Sequence, residues 1–118
     1  MSADLGETWA PPQPVDLPMP NAALDMVRTK KGELVLMWNN TVKAGGWKMS
    51  RRAIHVAYSA DEGAHWRIIK EVERQDENGQ LCYPSIIQAS DGLFHATYTR
   101  HRINIGYLKF DLEWLLHQ

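Results

Sequence analysis

Cysteine is nearly missing from the chain. Cys82 is the only one among 118 residues, which excludes an internal disulfide, and its apolar neighbours suit a buried, inert thiol. Net charge is equally scarce: 13 Lys and Arg against 14 Asp and Glu leave −1. That gives no electrostatic reason to expect nucleic acid or an anionic membrane as partner. No apolar run approaches the ~18 residues of a spanning helix. Met1-Ser2-Ala3-Asp4 has neither the basic region nor the apolar core of a secretory leader, so the default expectation is a cytoplasmic location. The five histidines never fall at a metal-ligand spacing with cysteine or carboxylates, so no metal and no cofactor is expected.

What the chain does have is a repeated octet. Ser59-Ala60-Asp61-Glu62-Gly63-Ala64-His65-Trp66 reads as a tight hairpin between the apolar runs 53–58 and 67–72. A short Asp can accept backbone N–H groups across a turn, and Ser can do so more weakly. Gly63 supplies positive φ, and Trp66 returns apolar surface to the sheet. Ser2-Ala3-Asp4-Leu5-Gly6-Glu7-Thr8-Trp9 repeats Ser, Asp, Gly and Trp in register, with Asp4 and Asp61 57 residues apart. The spacing is an internal repeat.

Ser-x-Asp-x-Gly-x-Thr-Trp resembles the Asp-box, or bacterial neuraminidase repeat, of sialidases and sialidase-like β-propellers. The first copy matches fully; the second carries His65 where the pattern prefers Thr. The resemblance implies an all-β fold of antiparallel four-stranded blades, with each box in the hairpin between a blade's third and fourth strands and away from the active site. A blade takes roughly 40–50 residues, so the chain holds about two, a partial propeller.

Three sections follow in chain order. Residues 1–20 read as an Asp-box hairpin and an outer strand, although Pro11, Pro12 and Pro14 cannot donate to a ladder. Residues 21–73 read as a complete blade: strands at 23–29 and at 33–38, whose apolar run suggests a strand covered on both faces, then 53–59 and the edge strand 66–73. Between the second and third lies a polar loop with Gly45-Gly46 and Trp47. A charged linker closing on Asn78-Gly79 leads to residues 83–118, a three-stranded last blade with a short helical or coil tail. Lys31-Gly32-Glu33-Leu34 and Asp91-Gly92-Leu93-Phe94 align as equivalent turns.

The stretch Tyr83 to Thr99 is similar to the last blade of sialidase-like proteins. The resemblance implies that Tyr83, at the head of an innermost strand, stands where sialidases carry their nucleophile. A phenol with a free pKa of about 10 needs an adjacent carboxylate base for that work, and Asp25 is the candidate. Read without the resemblance, Tyr83 is an aromatic at a strand start. Arg52, before the third strand, matches an arginine of the substrate-carboxylate clamp, which a guanidinium fork suits; Arg51 is the alternative, and an exposed loop arginine is the plain reading. Arg102, after Tyr98, is either channel-facing or a hairpin tip. Asn21, Asn39 and Asn40 are candidate sugar-hydroxyl contacts or ordinary turn residues. Where a sialidase carries its Glu base and a further triad arginine, this chain has Asn21–Asp25 and Asn39-Asn40.

The expected ligand is therefore an acidic sugar, by hydrolysis or by binding alone; a self-assembling propeller module or an inactive truncated remnant is the alternative. The unequal strand counts suggest either a piece of a longer protein or a homo-oligomer, a trimeric ring closed by strand exchange.

Overall fold

The computed structural model describes residues 1–41, 51–76 and 79–117; Gly45-Gly46, Trp47 and Asn78 lie outside them. The first sheet is an antiparallel meander of β1 (Asp25–Arg28), β2 (Leu34–Trp38), β3 (Ala53–Ser59) and β4 (Ile68–Arg74). The second is β5 (Leu81–Gln88), β6 (Phe94–Arg100) and β7 (Asn104–Phe110), followed by the short helix α1 (Leu112–Leu116). The fold is all-β, as the alternating runs and turn residues imply.

All of β2 is buried, which its Leu-Val-Leu-Met-Trp run requires. The β1–β2 and β5–β6 turns are copies of each other. Thr29 and Ala89 donate N–H to Glu33 O and Leu93 O, each at 2.8 Å. Gly32 and Gly92 sit at φ +94° and +89°, where a Cβ would be strained. The second Asp box forms the β3–β4 hairpin.

The two sheets stand side by side and run the same way. Register puts Asp25 opposite Met37 and Trp38 opposite His55, and Leu81 opposite Arg100, itself opposite Asn104. Leu81 N–H reaches Arg51 O at 2.7 Å, so these strand ends share one rim of the molecule. At the other rim, Lys30 N–H donates to Gln88 Oε1 at 2.9 Å, tying the two equivalent turns together.

Between the sheets lies the main core. Val35, Met37, Ile54 and Val56 from the first meet Leu81, Ile86, Phe94, Ala96, Tyr98 and Phe110 from the second. The helix closes this core with Leu115. Lys70 lies over the Trp114 ring at 3.9 Å and donates to Trp114 O at 2.7 Å.

Residues 10–24 form no strand, which corrects the outer strand expected there. Three of the first five residues after Trp9 are prolines, and without N–H groups they cannot hold a ladder. This segment lies instead across the far face of the first sheet. Leu17 and Met19 pack on Leu36, Trp38 and Ala57, and Trp38 Nε1–H donates to Pro18 O at 2.8 Å.

Candidate functional site

The two Asp boxes repeat each other's serine and aspartate bonds at the rim opposite the expected site; Trp9 Nε1–H donates to Gly6 O at 3.1 Å, whereas Trp66 Nε1 has no partner among the described residues. Asp4 Oδ1 accepts the Ser2 hydroxyl (2.8 Å) and Thr8 N–H (2.9 Å); Asp61 Oδ1 accepts the Ser59 hydroxyl (2.8 Å) and His65 N–H (2.9 Å). Thr8 Oγ1 bonds Asp4 Oδ2 at 2.5 Å, and His65 Nδ1 does the same for Asp61 Oδ2 at 2.7 Å. His65 thus replaces the pattern's Thr without loss of a bond. The Thr8 hydroxyl, then its N–H and Ser2, hold the Asp4 pKa down to about 2. The backbone and ring of His65, then Ser59, hold Asp61 well below the usual carboxylate range. Both carboxylates are fully committed to their turns.

At the other rim, β5 opens with a bulge. Pairing with β6 slips between Cys82 and Ser85, and Tyr83 takes φ +52°, a left-handed conformation that costs a bulky residue of order 1–3 kcal/mol. The residue is 53% exposed. Arg51, itself buried, sets its guanidinium 5.4 Å from the ring centroid, a cation–π geometry. So the structure brings Arg51, the alternative to Arg52, against Tyr83. Arg52 lies half-buried beside it and accepts Gln75 N–H through its carbonyl at 2.7 Å.

Asp25 is placed differently from a base for Tyr83. Its Oδ2 accepts Ile86 N–H at 2.8 Å, and its Oδ1 accepts Met26 N–H at 2.9 Å. Both oxygens face backbone donors, and the carboxylate links β1 to β5 just beyond the bulge. Among the described residues no carboxylate hydrogen-bonds the Tyr83 hydroxyl.

Asn39 is buried, and both its amide hydrogens are used: Nδ2 donates to Ala53 O (2.8 Å) and Leu81 O (2.9 Å). It joins the blades, which removes it from the expected set of sugar-hydroxyl contacts. Asn40 follows at the rim with a buried Oδ1 that has no partner among the described residues. Asn21 is exposed before β1.

Arg102 sits on the β6–β7 turn, exposed, at φ +59°, next to His101 at φ +58°. Two consecutive left-handed residues without glycine require support. Gln80 supplies it: its N–H donates to His101 Nδ1 at 3.0 Å, and its carbonyl accepts His101 N–H at 2.6 Å. Arg102 is therefore a hairpin tip on the same rim as Tyr83.

One cluster had no advance signal in the sequence. Glu73 of β4 accepts the Tyr98 hydroxyl at 2.7 Å, Arg100 Nε–H at 3.1 Å and the Gln75 amide. Burial would push Glu73 up, but these donors together hold it below its ordinary value. Burial, then Glu73, drive Tyr98 up to about 12. The cluster fastens the outer strand of one blade to the middle strand of the next, just behind the rim.

No curated protein and no solved structure gives a significant match to the chain. Residues 1–96 match the model of the BNR repeat-like domain, a span that contains both Asp boxes, the complete blade and Tyr83. With the repeat, the paired turns and the blade geometry in place, the chain belongs to the BNR repeat-like domain family.

Proposed function

We propose that the protein binds an acidic sugar, of the sialic or uronic acid kind, at the rim where Tyr83 is displayed. The carrying observation is Tyr83 itself: a bulky residue kept at φ +52°, more than half exposed, with a buried arginine against its ring. Strain of that kind persists only where the surroundings impose it, and it gathers at ligand sites. The ring offers an apolar platform for the C–H face of a pyranose. The guanidinium of Arg51 suits a planar carboxylate, with Arg52 and Arg102 adding positive charge at the same rim.

Binding is favoured over glycoside cleavage by the placement of Asp25. Bond cleavage through a tyrosine needs a carboxylate beside the phenol to take its proton, and Asp25 spends both oxygens on backbone N–H groups.

The test is calorimetric titration with N-acetylneuraminic acid, glucuronic acid and galactose. The acidic sugars should bind at least about tenfold more tightly than galactose, since a charge-assisted bond contributes roughly 1.5–3 kcal/mol. Tyr83→Ala should weaken them by about tenfold. Equal affinity for galactose, or a Tyr83→Ala variant that binds like the parent, would overturn the reading.

A further inference from the structure

The two outer edges of the molecule are built differently. β4, the outer strand of the first sheet, carries Lys70, Glu71, Glu73 and Arg74 within seven residues, and Arg74 pairs with Glu71 along the edge at 2.6 Å. That is how an exposed edge is protected from pairing. β7, the outer strand of the second sheet, reads Asn-Ile-Gly-Tyr-Leu-Lys-Phe, with one charge and no proline. Among the described residues β6 is its only strand partner; α1 packs on β3 and β4 and, through Trp114, on Phe110 at the end of β7. Ile105 and Tyr107 on β7 are 64% and 61% exposed, and Ile103 before it 82%.

From this asymmetry we propose that β7 is a pairing edge and that its occupant is β7 of a second copy of this chain, giving a twofold dimer. Antiparallel pairing centred on Tyr107 sets the two Tyr107 rings side by side and each Lys109 opposite Ile105 of the other copy. The two Lys109 ammoniums are then four residues apart along the pair, about 13 Å, so the like charges do not oppose the contact. At each end of the pair, Asp111 of one copy falls opposite Ile103 of the other, so no like charges face each other there. An isologous contact of this kind closes on itself and needs no rearrangement.

Exchange of the N-terminal hairpin into β7 is the competing occupant, and the chain argues against it. Residues 17–19 are already held on the first sheet through Leu17, Met19 and the Trp38–Pro18 bond. Pro11, Pro12 and Pro14 also remove the donors such a strand would need.

Sedimentation equilibrium of the whole chain from about 1 to 200 μM tests this, with Tyr107→Lys and Ile105→Lys as variants. Tyr107→Lys places two ammoniums directly opposite each other, and Ile105→Lys opposes Lys109. Both sites are exposed in the monomer, and thermal melts check that the variants stay folded. The expected result is a dimer whose dissociation constant rises at least tenfold in both variants. A chain that stays monomeric throughout overturns the proposal, as does a trimer. So does a dimer that ignores both substitutions but is lost when residues 1–16 are removed.

Discussion

Replacing Asn39 by Leu tests how the rim is held together. Asn39 gives its two amide hydrogens to Ala53 O and Leu81 O, one in each blade, and is 1% exposed. Leucine has similar volume and no donors. Leaving two buried carbonyls short of a partner costs about 1–3 kcal/mol each at most, less where a carbonyl keeps a second bond. Against this, the buried and unpartnered Asn39 Oδ1 disappears, relieving a cost of the same kind. The net expectation is a loss of about 1–3 kcal/mol, read as a lower urea midpoint with an unchanged slope. Asn39→Asp sharpens the test. A buried carboxylate facing two carbonyls must have its folded pKa raised, so its neutral form, which can donate one bond, is the tolerated one. Stability should be best below the unfolded Asp value of about 3.9 and be lost as pH rises through the raised folded value. An Asn39→Leu variant within about 0.5 kcal/mol of the parent would refute the idea that this amide joins the blades.

Three further outcomes follow from the same geometry. Asp4 and Asp61 have depressed folded pKa values, so their contribution is present above the unfolded value near 3.8 and is lost as pH falls; acid melts should weaken between about pH 4 and 2, and less so in Asp61→Ala, which should already melt lower at neutral pH. Tyr58 and Tyr98 are both pushed up to about 12, Tyr58 chiefly by its bond to Glu33; absorbance titration should find late-ionising tyrosine signal, and Tyr98→Phe should remove part of it at a cost of about 1 kcal/mol. Tyr83→Gly relieves the left-handed strain while losing the ring over Arg51, so the melting temperature should hold or rise slightly even as binding is lost; a destabilisation beyond about 1 kcal/mol would contradict the strain assignment.

The octets made the blade legible in advance because each of their residues has one mechanical task, and the structure gives Asp4 and Asp61 the same bonds. The buried run of β2 and the paired Gly32 and Gly92 turns were equally plain, since periodicity and positive φ leave direct marks in residue type. Tyr83's place near the start of β5 was legible, but its conformation was not: a residue before proline is expected to be extended, and nothing in Cys82-Tyr83-Pro84-Ser85 announces a bulge. Asn39 and Asp25 were legible as polar residues near the rim, yet each also bonds a backbone group of β5, 42 and 61 residues away, which no local pattern encodes. The same holds for Glu73, whose partners Tyr98 and Arg100 lie in the other sheet. The N-terminal segment misled because the box promised a following strand, while its prolines and Trp38 sent it across the face of the first sheet.

The Tyr83 rim, and not the Asp-box rim, should meet the ligand. An amide-resolved NMR titration with N-acetylneuraminic acid addresses that directly. The prediction is that shifts concentrate at residues 51–53, 81–86 and 100–104 and leave the Asp-box residues 59–66 unmoved, and that Tyr83→Ala abolishes them. Shifts centred on 2–9 and 59–66, or spread evenly over the surface, would contradict the placement of the site.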